Sequence, residues 1–83
     1  MSVSSSAEPT VLDILSDVLD ESPDDLYAEP ILAEHGWDSI ASLEALAQLE
    51  ARLRITLDLR SFHAAHTVTE MVALIEDAVK ARL

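Results

Sequence analysis

The sequence of 83 residues has no cysteine, one glycine, three prolines and one each of tryptophan, tyrosine and phenylalanine. The lack of cysteine excludes disulfide bonds, thiolate metal sites and a cysteine nucleophile. Few glycines and prolines leave few positions for tight hairpins. Hydrophobic residues make up 49% of the chain with little aromatic volume, so a core must be built from Leu, Ile, Val and Ala. We therefore predict one small all-helical domain.

Basic residues are also scarce, with five against sixteen acidic residues and a formal net charge of −11. This surface would repel a nucleic acid or an anionic membrane, and it favours protein partners that bear basic patches. The chain has no apolar run near the ~20 residues that span a bilayer. Its start lacks the basic end and apolar stretch of a signal peptide. We expect a cytoplasmic monomer without nucleic-acid or membrane partners.

Three stretches show helical periodicity and recognisable starts. Pro9 suits the first turn of a helix that ends before Pro23, because the residue preceding a proline is disfavoured in the helical region. Asp38 is a plausible N-cap for a second helix, which carries an apolar stripe at three- and four-residue steps. Thr67 and Glu70 form a capping-box pattern that opens the last helix.

The remaining stretches connect these helices. Residues 1–7 are small and polar and are predicted to be a flexible tail, which leaves 8–83 as the single domain. Residues 21–38 form a long acidic connection, and loops of that length are usually functional. The alternation after the second helix could be a strand, but the chain has no partner strand for it. We predict a short third helix near 59–64, and thus a small four-helix bundle with three long helices and one short third helix.

The stretch Gly36-Trp37-Asp38-Ser39-Ile40 is the most informative local feature. A serine hydroxyl at the start of a helix lies beside unpaired backbone N–H groups and a partial positive charge, which suit a phosphodiester. The simpler interpretation is that Ser39 only caps the helix. This stretch and the Ser42-Leu43-Glu44 that follows it resemble the acyl and peptidyl carrier protein family. The resemblance covers roughly residues 9–82.

The resemblance implies a carrier, not an enzyme. A phosphopantetheinyl transferase would esterify Ser39 with the 4′-phosphopantetheine arm of coenzyme A, and the thiol of the arm would hold acyl or aminoacyl groups as thioesters. Asp38 matches the acidic residue that contributes to transferase recognition. Further partners would be a loading enzyme (a ligase, an adenylation enzyme or an acyltransferase) and a downstream synthase. Polyketide or nonribosomal peptide pathways are favoured, with fatty acid synthesis as the alternative.

Carrier proteins also present their second helix to partner enzymes. The matching positions are Ile40, Leu43, Glu44, Ala47 and Glu50. Each has a simpler interpretation, since Leu43 could belong to the core and Glu44 could be an ordinary solvated residue. Trp37 is either a hydrophobic plug under the loop, which we favour, or an exposed contact for a partner. Arg54 stands where a glycine often ends this helix.

Three alternatives predict other functions. His35, His63 and His66 could bind a metal, but without a further ligand pattern the signal is weak and we expect no metal site. A Ser39-His-Asp triad lacks the Gly-x-Ser-x-Gly context of hydrolases. A plain helical interaction module would bind partners without covalent chemistry. Only a carrier gains mass at Ser39 from coenzyme A.

Overall fold

The computed structural model describes residues 7–81, which form five α-helices and one 3₁₀ turn. The helices are α1 (Glu8–Leu19), α2 (Pro23–Ala28), α3 (Ser39–Leu53), α4 (Leu59–His63) and α5 (Val68–Ala81), with the 3₁₀ turn at Leu32–His35. This part of the chain contains no β-strand, only an isolated bridge between Ile31 and Thr67. The prediction of an all-helical carrier-like bundle is confirmed. Apart from Ala7, which is buried, the predicted tail lies outside the described residues.

Helix α1 begins and ends as its sequence suggests. Pro9 lies in its first turn together with the acidic Glu8, where a missing N–H costs nothing and a carboxylate complements the helix dipole. The helix ends at Asp20, which adopts a left-handed conformation with φ 58° and donates its N–H to the Ser16 carbonyl. Aspartate tolerates this conformation better than most residues.

Helix α2 interrupts the predicted connection 21–38, so the expectation of one continuous loop there was wrong. The Ser22 hydroxyl accepts the Asp25 N–H at 3.1 Å, and the Asp25 carboxylate accepts the Ser22 N–H at 3.5 Å. Pro23 occupies the first turn of this helix, so the proline that follows α1 also begins α2. Leu26 is fully buried and holds this short helix against the core.

The last two helices are also capped by side chains. The Asp58 carboxylate accepts the Ser61 N–H at the start of α4. Before α5, the Thr67 hydroxyl accepts the Glu70 N–H at 3.1 Å. The Glu70 carboxylate accepts the N–H of His66 at 2.8 Å, one residue earlier than an ideal capping box requires.

The core lies between α1, α3 and α5, and the short helices close its sides. Its fully buried large apolar side chains are Val11, Ile14, Leu15, Leu26, Leu32, Leu49, Phe62, Met71 and Ile75. The alternating stretch before α4 forms no strand. Its Leu57 N–H is bound by the Glu50 carboxylate at 2.8 Å. Within residues 7–81, none of the helices is long and apolar enough to cross a membrane.

Candidate functional site

Ser39 is the first residue of α3, and its side chain is exposed. The preceding Asp38 has extended backbone, and its carboxylate accepts the Ala41 N–H at 2.8 Å. Asp38 also accepts the Ser42 N–H through its main-chain carbonyl at 2.9 Å. The aspartate thus fixes the first turn of α3, while the Ser39 hydroxyl stays open to solvent at the positive end of a 15-residue helix.

The chain reaches Ser39 through a segment that His35 holds in place. The His35 side chain is only 7% exposed and lies 3.6 Å from the Glu21 carboxylate. Its Nε2 lies 2.6 Å from the main-chain oxygen of Glu29. This hydrogen bond, more than the Glu21 carboxylate, raises the pKa of His35 above its ordinary value. Gly36 follows with φ +82°, a conformation that favours glycine.

Trp37 links this segment to α4. Its indole N–H donates to the His63 carbonyl at 3.2 Å. Its ring packs edge-on against Phe62, with centroids 5.6 Å apart, and lies nearly parallel to the His63 ring at 6.4 Å. The indole is partly buried, an arrangement that supports the plug interpretation over the exposed partner contact.

Ser42 and His63 form a contact that the sequence did not predict. Ser42 is 1% exposed, and its hydroxyl donates to the Ser39 carbonyl at 3.1 Å. The same oxygen lies 2.9 Å from Nδ1 of His63. Ser42 follows Ser39 by three residues and so shares its face of α3, but nothing in the sequence places α4 opposite. From the sequence, His63 was a candidate for a metal site or a triad with Ser39, not for a bond to Ser42.

A groove of about 550 Å³ opens beside Ser39 between α3 and α4. Its lining residues are Ser39, Ser42, Leu43, Asp58, Leu59, Arg60 and His63. The Asp58 carboxylate accepts both the N–H and the hydroxyl of Ser61. These bonds, and secondarily the Arg60 charge, lower the pKa of Asp58. The mixed apolar and polar lining suits a flexible chain of amides and methyl groups tethered to Ser39.

The predicted partner contacts differ in their surroundings. Ile40 is 69% exposed and Leu43 is 52% exposed, so two large apolar side chains reach solvent in the first turns of α3. Glu44 and Ala47 are also exposed. Glu50 is partly buried, and its carboxylate accepts the Leu57 N–H. Glu50 therefore stabilises the link that follows α3.

The three histidines do not converge. His35 is bound near Glu29, whereas Nδ1 of His63 faces Ser42 and not Ser39. Among residues 7–81, no group of three or more His, Asp or Glu side chains could hold a metal ion. Within residues 7–81, no hydrogen bond joins His63 to the Ser39 hydroxyl. His63 therefore does not complete the Ser39-His-Asp triad that was considered from the sequence.

Comparison with known proteins agrees with this geometry. The family model for the phosphopantetheine attachment site matches residues 9–75. A curated relative, the polyketide synthase PksR of Bacillus subtilis (strain 168), is 37% identical over 62 residues, which are 75% of this chain. The chain spans only 2% of the length of that relative. No solved structure matches. The chain belongs to the phosphopantetheine attachment site family, the carrier domains that bear a 4′-phosphopantetheine group.

Proposed function

We propose that Ser39 is the single attachment residue for 4′-phosphopantetheine and that this protein carries thioester-bound intermediates between biosynthetic enzymes. The observation that carries the proposal is the exposed Ser39 hydroxyl at the first turn of α3, beside an open groove. The bound group supplies a thiol, which the chain itself lacks.

The residues around Ser39 have separable tasks. Asp38 caps α3, which presents the Ser39 hydroxyl at a helix end that favours negative charge. As a solvent-exposed carboxylate, Asp38 is also available to the modifying transferase. The exposed apolar side chains of Leu43 and Leu59 (52% and 40% exposed) form walls of the groove, against which a bound arm can bury its methyl groups.

The cargo that we propose is a short acyl group of a polyketide pathway. The similarity to a polyketide synthase supports this choice over an aminoacyl cargo. A loading enzyme and a synthase would dock on the exposed side chains of Ile40, Leu43 and Glu44. Intact-mass analysis of protein from its native host would identify the loaded group directly.

The attachment is tested with coenzyme A and a broad-specificity phosphopantetheinyl transferase. Wild type should gain one phosphopantetheine by intact-mass analysis, and Ser39→Ala should gain none while its circular dichroism stays helical. Ser61→Ala is the matched control, because it removes another exposed serine hydroxyl and should be modified normally. An unmodified wild type, or a modified Ser39→Ala, would refute the proposal.

A further inference from the structure

Arg60 is a basic residue in the groove beside Ser39, in a chain with net charge −11. Within residues 7–81 the close ion pairs are Arg52 with Asp13 at 2.9 Å and His35 with Glu21 at 3.6 Å. Arg60 takes part in neither pair. Its guanidinium therefore retains donors that can bind an anion.

The one carboxylate that lines the groove does not neutralise Arg60 by direct contact. Asp58 Oδ2 accepts two hydrogen bonds from Ser61, at 3.0 Å and 2.8 Å. The Arg60 charge is close enough to help lower the pKa of Asp58. The two side chains are nevertheless not among the close ion pairs of the described residues. Asp58 thus balances the Arg60 charge only partly, and no carboxylate within residues 7–81 forms a close ion pair with the Arg60 guanidinium.

His63 is held on two sides. Because the Ser42 hydroxyl donates to the Ser39 carbonyl, its oxygen accepts the hydrogen bond that the Nδ1–H of His63 donates. Trp37 covers one face of the ring. The remaining nitrogen, Nε2, has no hydrogen-bond partner within residues 7–81, and His63 lines the same groove as Arg60.

We propose that Arg60 and His63 form an anion seat for the phosphodiester that joins the arm to Ser39. This inference rests on the proposed function. The planar guanidinium can donate two parallel hydrogen bonds to the phosphate oxygens. Nδ1 of His63 already donates to Ser42, so Nε2 can donate one more bond only when the imidazole carries both protons. A carboxylate on the cargo is a weaker candidate. It lies at the far end of a flexible arm, which would have to be ordered, whereas the phosphodiester is fixed at Ser39.

The first test is phosphorus-31 NMR of the phosphopantetheinylated protein. In folded wild type, the phosphodiester resonance should be shifted relative to the same modified protein unfolded in urea, because the phosphate is held only in the folded state. Arg60→Gln should move the resonance most of the way to its position in the unfolded protein, His63→Gln should move it less, and Arg60→Lys should be intermediate because it keeps the charge without the planar guanidinium. Lys80→Gln, which removes one positive charge from α5, should match wild type.

The second test compares the melting temperatures of the modified and unmodified forms at low salt. Without an anion seat, one more negative charge on this acidic protein should lower the melting temperature. With the seat, we expect modification to raise it by about 4 °C, the size of one exposed charge pair in a small domain. Arg60→Gln should abolish the gain. Asp58→Asn, which keeps a helix-capping side chain, should enlarge it.

Three outcomes decide the inference. If the mass shows the arm on Ser39 but Arg60→Gln behaves like Lys80→Gln in both measurements, the anion seat is refuted while the carrier function stands. If the Arg60 dependence occurs only when the arm is loaded with succinate, the groove binds a cargo carboxylate instead, which also overturns the proposal. If Ser39 is never modified, the carrier function itself fails.

Discussion

The two ends of α3 use the same residue types for different purposes. At the amino end, Ile40 and Leu43 are exposed and Glu44 extends into solvent. At the carboxyl end, Leu49 is fully buried and Glu50 binds the Leu57 N–H of the following link. The amino end thus presents apolar and acidic side chains to solvent, whereas the carboxyl end is tied into the fold.

The difference shows that a glutamate at a family-like position of this helix is not by itself a docking residue. Glu44 and Glu50 matched the family pattern equally well, and only the three-dimensional surroundings separate them. A carboxylate that accepts a partly buried backbone N–H cannot be removed without a cost to folding. Each of the following measurements tests this division between the two ends.

The largest effect is expected from Glu50→Ala. The substitution leaves the Leu57 N–H without its acceptor, so the free energy of unfolding should fall by about 2 kcal/mol. Urea denaturation followed by circular dichroism measures the loss. Glu44→Ala is the matched control and should change stability by less than about 0.5 kcal/mol. Equal losses in the two variants would contradict the division.

A smaller effect, on binding and not on folding, is expected from Glu44→Lys. It places a positive charge beside the expected basic patch of a loading enzyme, so affinity should fall about fivefold, which corresponds to about 1 kcal/mol. Titration calorimetry at several salt concentrations measures it, since exposed charges are screened beyond about 8–10 Å near physiological ionic strength. Asp77→Lys makes the same charge change on α5 and should leave affinity intact. If both variants bind like wild type, docking does not use this end of α3.

Arg54→Gly should stabilise the carboxyl end. Arg54 ends α3 in a left-handed conformation with φ 56°, which is unfavourable for a residue with a Cβ atom. Glycine should therefore raise the free energy of unfolding by about 0.5–1 kcal/mol, after its larger loss of chain entropy is subtracted. Asp20→Gly is the control at a matching φ of 58° and should gain less, because aspartate tolerates this conformation better. Thermal unfolding of both variants checks the ranking, and a destabilised Arg54→Gly would refute it.

The smallest effect is a pH dependence at the amino end. The pKa of His35 is raised in the folded protein above its ordinary 6.5. Its protonated form is therefore favoured by folding, so its contribution to stability is complete below about pH 6.5 and is lost as the pH rises through the raised value. We expect the stability of wild type relative to His35→Gln to decline over that range. Parallel pH profiles for the two proteins would show that the contact to Glu29 has no such role.

The sequence predicted the fold wherever the relevant chemistry was local. Pro9 lies in the first turn of α1, Asp38 caps α3 and Thr67 caps α5, and each acts on backbone groups within four residues of itself. Helix α2 was missed although its signal was present. The Ser22-Pro23-Asp24-Asp25 stretch is a capping box with a proline in the first turn, but Pro23 was interpreted only as the end of α1.

Contacts between distant parts of the chain could not be predicted. The bond from Glu50 to Leu57 depends on how the link after α3 turns back. The bond between Ser42 and His63 spans 21 residues and depends on where α4 packs. From the sequence alone, Glu50 could equally be a solvated glutamate and His63 a surface histidine. Only the packing of the helices distinguishes those roles from the ones that the structure assigns.

The position of Trp37 gives this protein a built-in optical probe. The sequence contains one tryptophan, so its fluorescence has a single origin, two residues before Ser39. Its indole rests on Phe62 and lies over the His63 imidazole. We therefore expect an event that shifts α4 against α3, such as arm attachment or partner capture, to change the emission of this one fluorophore. Transfer steps can be followed in real time on the native chain without a dye.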